Sequence, residues 1–353
     1  MKLFTCSVCK QVLFFENVVC NSCGHALAYL PDRAVLSAIE PGEKQGEQRA
    51  LAADNAPYLL CRNYTEHAAC NWAIPAGASG DYCFACGFDE VIPNLSDGRA
   101  REAWRKLERS KRRLFYTLMG LGLPLDSKLG NPKGLAFAFK QDVAGEKVFT
   151  GHSDGLVTIN IAEADDPFRE KMRQQMGEAY RTVLGHFRHE IGHYFEMRLI
   201  DGTPRVDEFR KLFGDERADY QAALDKHYKQ GSPPDWPQHF VSQYASMHPY
   251  EDFAETWAHY LHMVETLETA RSYGLALRPQ PVGGAALPEL RARRLDFDDF
   301  DDLIAGWVPL TLAMNSLNRA MGMQDLYPFV LSRAVRTKLG FVHDLVEASP
   351  RKA

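Results

Sequence analysis

His189-Glu190-Ile191-Gly192-His193 is the segment of this 353-residue chain whose residue types and spacing could do chemistry most directly. At 3.6 residues per turn, histidines four apart fall on one helix face, and the carboxylate beside the first is turned toward a metal-held water. Two imidazoles and a general base are what zinc-dependent amide hydrolysis needs. Such a run arises by chance in roughly one unrelated chain of this length in a hundred, so its surroundings decide. Asp165-Asp166-Pro167 is a good helix start, with an Asp as N-cap and Pro at the first helical position. No further Pro intervenes from Phe168 to Leu199, and Phe187, Ile191, Tyr194 and Phe195 recur at helical intervals. The motif is therefore predicted to lie on a helix begun at that cap.

A catalytic zinc site takes three protein ligands and keeps one position for water. Glu196 and Leu199 stand where a longer motif would place a Gly and a third His, so the last ligand must come from elsewhere. The stretch Pro249 to Tyr260 is strongly helical and sets Glu251 and Glu255 one turn apart on one face. Glu251 is the expected ligand, and Glu255 the neighbour that orients a zinc-bound histidine. His186, His259 and His262 read as core or surface residues.

His189-Glu190-Ile191-Gly192-His193 followed by Glu251-Asp252-Phe253-Ala254-Glu255 resembles the gluzincin metallopeptidases, especially those similar to the catalytic domain of anthrax lethal factor. In that group the first Glu of the second run is the third zinc ligand, and a Tyr seven residues before it stabilises the transition state. That position here is Tyr244, within Ser242-Gln243-Tyr244-Ala245-Ser246. The whole chain also resembles bacterial zinc-binding metallopeptidases with an N-terminal zinc ribbon. The resemblance implies an α+β fold, mainly helical with a small β-sheet, that hydrolyses peptide bonds in a protein or peptide substrate. Glu190 would be the general base and Tyr244 the oxyanion donor. It also implies that an edge strand of the sheet, above the zinc, holds an extended peptide. Leu135 to Phe139 and Gly155 to Ile161 read as strands, and the substrate is expected beside the second.

Eight cysteines all lie within the first 86 residues. Cys6-x-x-Cys9 and Cys20-x-x-Cys23 have the spacing of a small zinc ribbon, and Cys61, Cys70, Cys83 and Cys86 are expected to form a second four-thiolate site. Gly24 and Gly87 follow the last cysteine of each group, where positive φ would turn backbone N–H groups toward sulfur. Zinc is the expected metal, one catalytic ion and two structural; rubredoxin-like iron also suits four thiolates at the first site. Met1 to Thr5 runs into Cys6 without a secretory h-region, and no run is long enough to span a membrane, so a cytoplasmic protein with reduced thiols is expected. The expected organisation is a zinc ribbon over 1–39, a polar linker over 40–55, a second ribbon over 56–98 and a metallopeptidase domain over 99–353.

Length and 45% hydrophobic content suit more than one domain. The net charge of −5 is uneven, since Arg99 to Arg113 holds eight basic and two acidic residues. With the ribbons, that segment motivates the rival reading of a non-hydrolytic zinc scaffold or an adaptor for nucleic acid or a partner protein. Trp104, Leu107, Lys111 and Leu114 follow helical spacing, which favours an amphipathic connecting helix with solvated charges. Farther on, the Glu251 helix is expected to continue toward Leu277, Asp296 to Asp302 to open another helix through Trp307 and Met314, and a last helix to run from about Pro328 to Val346.

Overall fold

Short strands and cysteine-bearing turns build the N-terminal part of the chain. β1 (Phe4–Thr5) pairs with β2 (Val12–Leu13). β3 (Leu27–Leu30), β4 (Val35–Pro41), β5 (Glu47–Ala50), β6 (Ala56–Leu60) and β7 (Ala73–Pro75) follow as one antiparallel sheet in chain order, with α1 (Arg62–Thr65) before the last strand. This is a computed structural model, and it describes residues 1–143, 145–176, 181–284, 289–291 and 299–349. The chain divides into two units, residues 1–120 with 125–169, and 121–124 with 170–353.

The polar stretch read as a linker is largely the β4–β5 hairpin, with Pro41 opposite Gln48 and Gly46 turning at φ +81°. A hairpin tip and a linker share polar, Gly-containing composition, so composition alone does not separate them. Both cysteine groups thus attach to one sheet, whose core is Leu30, Ile39, Ala50, Tyr58 and Ala73. A ring cluster reinforces it: Tyr29 meets Trp72 at 5.0 Å and Phe15 at 4.9 Å, and Phe15 meets Tyr116 at 5.3 Å.

β8 (Asp89–Val91) leads to α2 (Gly98–Gly120), then to β9 (Ala136–Lys140), β10 (Gly151–Ser153) and β11 (Leu156–Asn160). The two strands read from sequence are β9 and β11. Their sheet runs β10-β11-β9-β8, so both are interior strands and β11 has no free edge for a substrate, contrary to expectation. The short β10 takes that edge, because Asp154 (φ +49°) and Gly155 (φ +82°) form a tight turn that folds it back onto β11.

The stripe Trp104, Leu107, Lys111 and Leu114 is buried, but the charges on α2 are not all solvated: Glu108, Lys111 and Arg112 are buried as well. Lys111 bonds Glu108 at 2.7 Å and also Asp89, while Arg112 donates to the Ala69 carbonyl. Cys86 Sγ lies 3.7 Å from Glu108. Four thiolates around a divalent ion carry net charge of about −2, so buried cations beside the second cysteine site offset it. The grouping of Cys86, Asp89 and Glu108 is therefore an ion-pair cluster centred on Lys111.

α3 (Asp166–Met176) begins before the second unit and is a separate helix from α4 (Val183–Leu199), so the cap at Asp165–Asp166 does not begin the motif helix. Thr182 does: its backbone is extended, and the Gly185 N–H donates to its hydroxyl at 3.0 Å. α5 (Val206–Phe213), α6 (Tyr220–Gln230) and α7 (Trp236–His239) lead to α8 (Pro249–Ser272). α8 stops short of Leu277, which lies in β12 (Ala276–Leu277), paired with β13 (Leu290–Arg291). Of the acidic run, 296–298 falls outside the described residues; Asp299 caps α9 (Phe300–Ala320), and α10 (Arg333–Glu347) starts later than Pro328 because Ser332 is its cap.

α4 and α8 pack closely, with Phe195 stacked on Trp257 at 4.7 Å. Gly192, between the two histidines, makes this possible, because a Cβ there would lie 2.8 Å from the Ala254 Cα and 3.2 Å from its carbonyl oxygen. The obstacle is backbone and cannot rotate away. Gly192→Ala is expected to cost about 1–3 kcal/mol as overpacking, read as a lower urea midpoint; an unchanged midpoint would show that the helices have slack.

Candidate metal centre

α4 presents His189 and His193 on one face, and the first turn of α8 presents Glu251 to them. Pro249 at the start of α8 and the His248 cap, whose Nδ1 accepts from the Tyr250 N–H at 3.1 Å, fix where that turn begins. Glu251 Oε2 lies 2.9 Å from His189 Nε2 and 3.5 Å from His193 Nε2, and the two Nε2 atoms are 3.1 Å apart. Ligands held tetrahedrally about 2.0–2.1 Å from zinc are separated by about 3.3 Å. The three donor atoms therefore fit the edges of one such tetrahedron.

The surrounding groups orient these donors. His189 Nδ1 donates to Glu255 Oε1 at 2.7 Å, which leaves Nε2 facing the Glu251 carboxylate. Ser242 Oγ donates to the other Glu255 oxygen at 2.7 Å and accepts the Ala245 N–H at 3.1 Å, tying Glu255 to the turn that carries Tyr244. Tyr250 stacks on His193 at 3.9 Å, 16° from parallel. Tyr220 Oη donates to Glu251 Oε1 at 2.8 Å.

Glu190 is buried on α4 beside the histidines, and burial raises its carboxyl pKa. Tyr244 opens a 3-10 turn, its ring 6.0 Å from that of His189. Burial, then the negative charge of Glu251 and the neighbouring Tyr220, pushes its hydroxyl well above the usual tyrosine range, so it stays protonated and able to donate. His259 bonds Tyr327 and His262 faces Arg188, so neither joins the cluster; His186 is not among the three clustered donors either.

Tyr220, Ser242 and Tyr250 escaped the sequence reading. Ser242 and Tyr250 sit next to motif residues and carried a faint local signal. Tyr220 is 31 residues from Glu251 and carried none.

The eight thiols are free and fall into two groups. Sulfur separations are 3.7 Å for Cys6–Cys23, 3.6 Å for Cys9–Cys20 and 3.6 Å for Cys70–Cys83. Tetrahedral zinc with bonds of about 2.3 Å would set sulfurs about 3.8 Å apart, whereas a disulfide needs about 2 Å. N–H groups of Trp72 and Cys83 donate to Cys70 and Cys61 sulfurs, each at 3.3 Å. Gly24 takes the positive φ expected (+76°), but Gly87 sits in a 3-10 turn without it. There the second knuckle is helical, so glycine is not needed for its conformation.

Near the C-terminal end of α4, burial together with Asp201 and Glu216 pushes the Glu196 carboxyl up to about 7 from its ordinary 4.5. Between those values the folded state holds the proton that the unfolded state has lost. Stability therefore falls as pH rises through that window, and the loss is complete above it. Glu196→Gln removes the ionised form, so it should stabilise by on the order of 1–3 kcal/mol at pH 8 and by little at pH 4. Urea titrations at the two pH values check this; equal differences at both would refute the assignment.

A mixed helix-and-sheet chain with two four-cysteine sites and a two-histidine, one-carboxylate cluster is of the zinc-binding class. Residues 100–345 match the family described as "Putative zinc-binding metallo-peptidase", and 3–97 match a zinc-ribbon domain. The chain belongs to that metallopeptidase family. It is also similar to uncharacterized proteins of Mycobacterium bovis and of two Mycobacterium tuberculosis strains, 42% identical over 349 residues, covering 98% of this chain and 96% of each relative. No solved structure matches it.

Proposed function

We propose that this protein is a zinc-dependent endopeptidase of gluzincin type, related in its catalytic arrangement to the lethal factor peptidase domain. The observation that carries the reading is the convergence of His189, His193 and Glu251 at tetrahedral edge lengths, with Glu190 on the same helix as the histidines. His189, His193 and Glu251 hold the catalytic zinc. Cys6, Cys9, Cys20 and Cys23 hold one structural zinc, and Cys61, Cys70, Cys83 and Cys86 another.

When bound, the catalytic zinc polarises the scissile carbonyl and acidifies its water. Glu190, its pKa raised by burial, accepts the proton of the attacking water and returns it to the leaving amine. Tyr244 donates a hydrogen bond to the developing oxyanion. Glu255 fixes the tautomer and orientation of His189. The ribbons recruit or position a protein substrate in the cytoplasm. No helix among the described residues is long and apolar enough to cross a membrane.

The deciding experiment compares protein N-termini in cells carrying the wild-type protein and cells carrying Glu190→Gln. New termini present only with the wild type support an endopeptidase. Identical profiles, together with salt-dependent nucleic-acid binding lost on neutralising the basic residues of Arg99 to Arg113, would replace it with the adaptor reading.

A further inference from the structure

Glu251 is 2% exposed, and a buried carboxylate must have both oxygens accounted for. One oxygen, Oε2, faces the two imidazoles. The other, Oε1, accepts the hydroxyl hydrogen bond of Tyr220 at 2.8 Å. Tyr220 is the first residue of α6, a helix with no buried residue, so packing of a core does not explain why its side chain points here. The residue is 39% exposed, and its ring lies edge-on to His248, the cap of α8, at 5.3 Å. His227, two helical turns along α6, meets the Tyr244 ring at 6.1 Å. A solvent-covered helix therefore contributes its inward aromatic groups to the two side chains on which the metal site and oxyanion position depend.

We infer that Tyr220 is a positioning residue that holds Glu251 as a one-oxygen metal ligand by occupying Oε1, and so preserves a metal vertex for water. The inference rests on the metal centre of the proposed function. A carboxylate can bind zinc through one oxygen or two, and second oxygen binding would take the position that water requires. The Tyr220 hydroxyl withholds Oε1 from the metal and strengthens the orientation of Oε2. It acts through Glu251 and touches no reacting atom.

The test uses the full chain. Tyr220→Phe removes one oxygen at a partly exposed position and keeps the ring, so the zinc content of the two cysteine sites should be unchanged. Zinc affinity at the third site, measured by chelator competition, should fall about 10- to 100-fold. With cobalt in place of zinc, the visible d–d bands of the variant should weaken, because freeing Oε1 raises the coordination number. A role in holding α6 alone would not change those bands. Affinity within twofold of wild type and an identical cobalt spectrum, with Glu251→Ala losing the metal in the same assay, would overturn the inference alone. Retention of that zinc by Glu251→Ala would instead overturn the metal-site reading, and this inference with it.

Discussion

Glu190→Gln is expected to leave the zinc content of the protein intact while lowering peptide hydrolysis by about 10²- to 10⁴-fold, the contribution of a positioned general base. Glu190 is not among the three clustered donor atoms, so its amide should not disturb them. The substitution is nearly isosteric and removes a buried carboxyl whose ionised form burial disfavours, so loss of folding is not expected to imitate loss of chemistry. Turnover of a substrate identified from cellular termini, measured beside metal analysis, separates the two effects. Hydrolysis within a fewfold of wild type would transfer the proton-accepting role to another group.

Glu251→Ala has the opposite signature. It deletes one donor of the centre and leaves His189 and His193 facing each other with 3.1 Å between their Nε2 atoms. Two imidazoles on one helix are an incomplete zinc site, so content should drop from three ions per chain to two, with the cysteine-bound ions retained. The vacated space also leaves the Tyr220 hydroxyl without its acceptor. Metal analysis after dialysis against a mild chelator reads the result directly. A third zinc retained at wild-type affinity would mean that the carboxylate ligand lies elsewhere. Taken together, the two variants divide binding from catalysis: one keeps metal and loses turnover, the other loses both.

Legibility followed the range of the interactions. The histidine pair was readable because four residues on a helix are always neighbours, and Glu251 because a second helical run with its own spacing named it. The cysteine pairs were readable for the same reason, a two-residue gap being enough to form a knuckle. Boundaries were less so. The helix of His189 begins at Thr182, where a hydroxyl meets an N–H three residues on, although Asp165–Asp166 had an equally good cap composition. Glu40 to Gln48 had the composition of a linker and forms a hairpin, because its two arms pair with each other, Glu40 with Arg49 and Pro41 with Gln48, and β6 flanks the second arm.

The chain's order of residues alone determined which atoms can bind metal and where each helix offers them, since those relations are local and periodic. Tertiary structure decided which further groups surround those atoms. It buried Lys111 between Asp89 and Glu108, enclosed β11 on both sides, and brought Tyr220 of α6 to the second oxygen of Glu251. Apart from the i,i+3 pair of Glu108 and Lys111, such contacts join residues with no common period, and only the packing of whole elements, driven by burial of their apolar faces, selects which of many polar groups arrive together.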